Sequence, residues 1–253
     1  MRIKKLIFPE RCPGCRKVLE IGRSGFCDRC IKTTRLSEEP ACVCCGKPVE
    51  NSLMHLCQDC VRLKHSFIQN RALYLYEGAA IQAMYNLKYN NDKWIAELLA
   101  GELYRRFGKW IKACGIEAFI PVPMYGKKER ARGYNQAWEI AARLSDITAK
   151  QGKSGRIPVV AAVKRVRNTT PQKELSVSVR RKNVKKAFKL DRNVVELYNV
   201  YHRGRLTAFK SVLIVDDIFT TGATIDAVSD LCIAGGIASE VYSVTAVIGR
   251  GNV

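Results

Sequence analysis

The sequence predicts a cysteine-rich module over residues 1–62, followed by an α/β domain over residues 63–253. Two observations carry this. Nine of the eleven cysteines fall within the first 60 residues. Beyond Cys60, short apolar strands alternate with segments whose apolar residues recur at helical spacing, the pattern of a mostly parallel sheet covered by helices on both faces. At 253 residues the chain is long enough for one large domain plus a module.

The module is an internal repeat. Cys12-Pro13-Gly14-Cys15 is followed after eleven residues by Cys27-Asp28-Arg29-Cys30; Cys42-Val43-Cys44-Cys45 is followed, again after eleven, by Cys57-Gln58-Asp59-Cys60. The offset is 30 residues. A C-x-x-C turn sets two thiolates on one side of a tight knuckle, and two knuckles complete a tetrahedral four-cysteine zinc site. Two structural zinc ions are therefore expected, held by Cys12, Cys15, Cys27, Cys30, Cys42, Cys45, Cys57 and Cys60. Pairing within each repeat is the simpler arrangement, and spacing alone leaves crossed pairing open. Cys44 is expected to lie outside the ligand set, because Cys42-x-x-Cys45-Gly46 is the knuckle. His55 is read as a surface residue. Gly14 and Gly46 are expected to supply the backbone freedom of the turns. A disulfide framework would need a secreted chain, and the basic start MRIKKLIFPERC has neither the apolar core nor the cleavage site of a signal peptide. The expectation is a cytoplasmic protein with no membrane span, whose module folds by binding metal.

In the larger domain, Arg71 to Tyr76 reads as a strand. Ile81 to Tyr89 and Lys93 to Phe107 read as helices, with Leu98, Leu99, Leu103 and Phe107 at helical spacing. Ala118 to Pro123 is a short strand ended by proline. Asn135 to Thr148 reads as a helix with Ala137, Ile140, Ala141 and Leu144 on one face. Pro158 to Val163 is a further strand. Val212 to Val215, a helix from Thr224 to Ala234 and Val241 to Val247 form a βαβ unit. Trp94, Trp110 and Trp138 sit in helical patterns and are expected in the core.

Parallel sheets bind ligands at the carboxyl ends of their strands. There the sequence reads VLIVDDIFTTGAT over residues 212–224. Asp216 and Asp217 stand at the exit of a buried strand, and Thr220, Thr221, Gly222, Ala223 and Thr224 lead into a helix. A helix N-terminus offers free N–H groups and a positive dipole end to a phosphate. Two acids beside a phosphate site are consistent with a ligand whose sugar hydroxyls, or whose magnesium, they meet. A ribose 5′-phosphate fits. No G-x-x-x-x-G-K-[ST] and no G-x-G-x-x-G is present, which excludes the P-loop and the dinucleotide fingerprint. No catalytic triad is evident around His55, His65 or His202.

Net charge is +20. It is localised: Lys164 to Arg192 holds eleven Lys/Arg against two acids, whereas from Ser211 onward acids outnumber bases five to one. Such a stretch suits nucleic acid or a phosphorylated ligand.

The 212–224 string resembles the PRPP-binding motif of type I phosphoribosyltransferases. Ile120 to Gln136 (IPVPMYGKKERARGYNQ), Arg165 to Phe188 and Leu87-Lys88-Tyr89, together with the double ribbon, resemble the ComF family of competence-associated proteins. The resemblance covers nearly the whole chain. It implies a type I phosphoribosyltransferase-like sheet behind a double zinc ribbon. Asp216 and Asp217 would meet the ribose 2′ and 3′ hydroxyls, and Thr220 to Thr224 would cradle the 5′-phosphate. The Pro121 to Lys128 loop would face pyrophosphate, and a flexible lid would span about 165–183. Candidate catalytic cations are Lys127, Arg180 and Arg181; Arg180 to Lys182 suit diphosphate or DNA equally. The resemblance further implies binding of PRPP with magnesium, a role in uptake or processing of single-stranded DNA during natural transformation, and a helicase-like competence protein as partner. The alternative is an active phosphoribosyltransferase, in nucleotide salvage or acting on an unknown acceptor.

Overall fold

The computed structural model describes residues 9–38, 40–151, 155–168, 183–194, 196 and 207–250. Its helices are α1 (Asp28–Ile31), α2 (Gln58–Arg62), α3 (Gly78–Tyr89), α4 (Trp94–Ala113), α5 (Gly126–Arg132), α6 (Gln136–Gln151) and α7 (Ala223–Ala234). The strands are β1 (Gln69–Leu75), β2 (Ala118–Pro121), β3 (Val163–Arg165), β4 (Phe188–Leu190), β5 (Phe209–Phe219) and β6 (Ala238–Ile248).

Four strands form a parallel sheet in the order β1-β6-β5-β2. Strand alternation sends neighbouring residues of β5 to opposite faces. Leu213 and Val215 join Leu87, Leu99, Leu103, Ile140 and Leu144 under α3, α4 and α6. Val212 and Ile214 join Ile225, Val228 and Cys232 under α7. The helix that follows β5 therefore covers one face, while α6, which follows β2, covers the other. The crevice between β5 and β2 is a topological switch point, where α/β sheets bind ligands.

The strand expected over Pro158 to Val163 is reduced to a single parallel bridge, Phe119 to Val159. The extended segment shifts onward to β3, which pairs antiparallel with β4. Trp94 and Trp110 pack against the core as half-buried residues. Trp138 does not; it is exposed.

The ribbons dock on the domain rather than hanging from it. The segment between them pairs with the free edge of β1: Ser37 N–H donates to Leu73 O at 3.0 Å, and Leu75 N–H donates to Arg35 O at 2.9 Å. This covers a sheet edge that would otherwise invite pairing with another chain. The approach is close. A Cβ on Gly78, which has φ +52°, would lie 1.9 Å from Thr33 O. The first knuckle seats on α3, where the buried Asn86 donates to Pro13 O at 2.7 Å and to Gly14 O at 2.8 Å. The second seats on β1, where Asn70 donates to Cys45 O at 2.9 Å.

Candidate functional site

Among the described residues two four-cysteine clusters and the open end of β5 stand out. In each ribbon four sulfur atoms lie within 4.8 Å of one another: Cys12, Cys15, Cys27 and Cys30 in the first, and Cys42, Cys45, Cys57 and Cys60 in the second. The grouping is sequential, not crossed. Cys15 and Cys27 Sγ stand 3.7 Å apart, and Cys45 and Cys57 Sγ 3.5 Å apart. A tetrahedral zinc with Zn–S near 2.3 Å requires sulfurs about 3.8 Å apart, so the clusters fit that ion. The two repeats fold alike: Cys12 N–H donates to Lys17 O at 2.8 Å, and Cys42 N–H to Lys47 O at 2.7 Å. The left-handed residue of the second knuckle is Gly46, as expected, but in the first it is Arg16, not Gly14. Gly14 has another reason: a Cβ there would press on Ala79 Cβ at 3.1 Å and Cys30 Sγ at 3.2 Å. Cys44 lies outside both clusters and His55 is exposed.

The pocket is built by β5 outrunning β2. Their pairing ends at Pro121 with Val215, while β5 stays paired to β6 as far as Phe219. Asp216 and Asp217 therefore lie inside the last stretch of pairing, not beyond the strand, with one edge open where β2 has stopped. Asp217 N–H donates to Asp216 Oδ1 at 2.8 Å. Burial, reinforced by the neighbouring Asp217 charge, holds the Asp216 carboxyl well above the usual carboxylate range. Lys88, from the end of α3, forms an ion pair with Asp217. Arg165 stands at the foot of the β3–β4 ribbon, where the Asp216 charge opposes the burial that lowers its own pKa.

The loop over residues 220–222 follows. Gly222 is the N-cap of α7, with φ +76° and no side chain of its own to cap the helix; Ala223 N–H donates to Thr221 Oγ1 at 3.5 Å. A Cβ on Gly222 would meet His65 Cε1 at 2.8 Å and Phe219 at 2.9 Å. Only glycine fits, and its place leaves backbone N–H groups at the helix start to serve an anion. Thr220 is exposed, Thr221 and Thr224 half-buried, and Ala223 buried. Behind the loop, His65 Nδ1 and Asp226 Oδ2 are 3.0 Å apart, with side chains 2% and 1% exposed. The His65 ring stacks on Phe67 with centroids 4.6 Å apart. Ser66 N–H donates to Asp226 Oδ1 at 2.9 Å, and its hydroxyl donates to Asp230. Lys185, beside β4, pairs with Asp230 at 2.6 Å. A polar chain thus joins the foot of the β3–β4 ribbon to the back of the 220–222 loop.

The loop after β2 is held from behind as well. Val122 N–H donates to Val215 O at 2.9 Å, and the Asn135 amide donates to Val122 O at 3.0 Å. Tyr134 hydroxyl donates to Leu87 O, one residue from Lys88. The Arg-Gly-Tyr-Asn string, without an assigned role in the sequence, therefore braces this loop and α3. Lys127 lies exposed on α5. Arg180 and Arg181 lie outside the described residues, as does the expected lid from 169 to 182.

Reasoning from sequence missed His65 and the pairing of Lys88. His65 and Asp226 are 161 residues apart, and no local pattern links them. Lys88 was visible only inside a short resemblance.

The parallel sheet, its switch-point pocket and the two four-cysteine clusters define a phosphoribosyltransferase domain behind a double zinc ribbon. The Double zinc ribbon domain family matches residues 3–61, and the Phosphoribosyl transferase domain family matches residues 131–251. Haemophilus influenzae "Competence protein F" is 32% identical over 230 residues, covering 88% of this chain and 91% of that protein. Escherichia coli K12 "DNA utilization protein YhgH" is 28% identical, covering 92% and 95% respectively. Bacillus subtilis "Competence protein ComFC" is 24% identical, covering 81% and 76%. The chain belongs to the ComF family. Among the described residues, no helix is long and apolar enough to cross a membrane.

Proposed function

We propose that the protein binds PRPP with magnesium at the Asp216–Thr224 pocket and acts in uptake or processing of single-stranded DNA during natural transformation. The observation that carries the first half is the pairing, in one crevice, of two adjacent carboxylates with a helix N-terminus whose N-cap is a glycine. In this reading Asp216 and Asp217 accept hydrogen bonds from the ribose hydroxyls, and the backbone of Thr221 to Thr224 receives the 5′-phosphate. Lys88 and Arg165 set positive charge beside the acids, where a diphosphate needs a counter-charge. The second half rests on relatives named for competence and DNA utilization, and on the chain's strong positive charge. A helicase-like competence protein is the partner that the family likeness suggests.

Transfer of the phosphoribosyl group is the second reading, favoured by the intact acid pair. It would displace pyrophosphate at the anomeric carbon through an oxocarbenium-like transition state, stabilised by cations on the leaving diphosphate, with no nucleophile from the protein. The test combines two binding assays on the zinc-loaded chain. PRPP with magnesium is expected to raise the melting temperature, and a labelled oligothymidylate is expected to bind more weakly as salt rises. Pyrophosphate release from PRPP without oligonucleotide binding would move the conclusion to the transferase; neither effect would overturn both readings.

A further inference from the structure

The outer face of α3 carries aromatic rings that no core residue covers. Ile81, Tyr85 and Tyr89 recur every four residues and so share one face. They are 43%, 51% and 64% exposed. The opposite face supplies Ala80, Ala83, Met84 and Leu87 to the core. Single exposed apolar residues are ordinary, but three in line are not explained by packing. Tyr85 and Tyr89 lie with ring centroids 5.0 Å apart. The guanidinium of Arg132 sits 5.2 Å from the centre of the Tyr89 ring.

Alongside runs α5, which buries none of its residues. Its seven residues, GKKERAR, hold four cations and one acid. Lys127, Lys128 and Arg130 are exposed. The hydrogen bond from Tyr134 to Leu87 O ties the chain just after α5 to α3. The Arg132 guanidinium thus joins the rings of α3 to the basic helix α5, and Lys88, next to Tyr89, pairs with Asp217.

We propose that this surface binds single-stranded nucleic acid, with bases stacked on Tyr85 and Tyr89 and phosphates held by Arg130, Arg132 and the neighbouring lysines of α5. Flat rings next to a positively charged track are what an unpaired strand needs, since each base has a face to stack and each nucleotide a charge to neutralise. A duplex hides its base faces and satisfies only the charges. Tyrosine and arginine also serve protein interfaces; it is the excess of cations over acids on α5 that favours a polyanion. The proposal rests on the nucleic-acid half of the reading above and places it on α3 and α5, apart from the lid.

The test is fluorescence anisotropy of a labelled oligothymidylate, an oligouridylate and a duplex of equal length, titrated with the full zinc-loaded chain at several salt concentrations. Tyr85→Ala/Tyr89→Ala is expected to weaken affinity for the single strands about 25-fold or more with the salt slope unchanged, since each of the two stacked bases is worth at least roughly fivefold. Tyr85→Phe/Tyr89→Phe is expected to bind like the parent. Arg130→Ala/Arg132→Ala is expected to flatten the slope by about 1.4, at roughly 0.7 for each single-strand phosphate no longer neutralised. Retained zinc and PRPP binding show that each variant is folded. Equal affinity of the alanine pair and the parent would overturn the site alone, as would an equal weakening on duplex. Failure of the parent to bind any oligonucleotide would overturn both this site and the DNA half of the proposed function.

Discussion

The proposed ligand role of Asp216 and the surroundings of its carboxyl oppose each other. A ligand with hydroxyls or magnesium wants it ionised, yet burial and the charge of Asp217 resist ionisation. A carboxyl raised in the folded state favours folding most when protonated, and that contribution is lost as pH climbs through its folded value. Asp216→Asn is therefore expected to stabilise the ligand-free protein, by about 2–4 °C in melting temperature for each kcal/mol relieved in a chain of this size. The gain should widen as pH rises above the ordinary carboxylate range towards the raised folded value, and thermal scans from about pH 4 upward check it. A variant that melts lower at every pH would contradict the assignment. His65 has the opposite character. It serves the fold behind the pocket, so His65→Ala leaves the buried Asp226 without its imidazole hydrogen bond, at a cost of about 1–3 kcal/mol. Urea denaturation reads that cost. PRPP affinity should fall along with it, because the ring also fixes Gly222.

At the scale of elements, legibility followed periodicity and length. The βαβ unit around VLIVDD was readable because a run of buried β-branched residues, a tight turn and a helix stop follow in order. The helices α3, α4 and α6 were readable from their apolar spacing, although each runs past the bounds that spacing marked. α5 was not read, since seven residues with no buried face show no period. The β3–β4 ribbon escaped because each strand has three residues and their pairing spans a long intervening segment. β5 extends through Asp216 and Asp217, and sequence alone stopped it at Val215, where the apolar run ends; hydrogen bonding to β6 carries it on. The ribbons are the element most open to test. Metal analysis is expected to give two zinc ions per chain, and chelation should melt both zinc ribbons, since so few apolar residues cannot hold them. Chelation should also uncover the β1 edge that the 35–37 segment pairs with. Concentration-dependent light scattering after chelation is the expected sign; a chelated chain that stays monomeric would show that this edge needs no cover.

Over the whole molecule, separate hydrogen bonds and ion pairs tie the metal module to the pocket. Asn86 joins the first knuckle to α3, whose Lys88 meets Asp217. His65 follows the second ribbon and backs Gly222, while Lys185 joins the foot of the β3–β4 ribbon to the same network through Asp230. These links were not legible in sequence, where their partners stand far apart; the acid pair and the threonine-rich turn were, because they are contiguous. The ribbons and the phosphoribosyltransferase domain thus form one body around one crevice. The central claim is that this crevice takes PRPP. Calorimetric titration of PRPP with magnesium into the zinc-loaded parent and into Asp216→Asn/Asp217→Asn tests it most directly. Saturable binding by the parent, absent from the folded variant, is the expected result. No heat from a folded, zinc-loaded parent, or equal binding by both proteins, would contradict it.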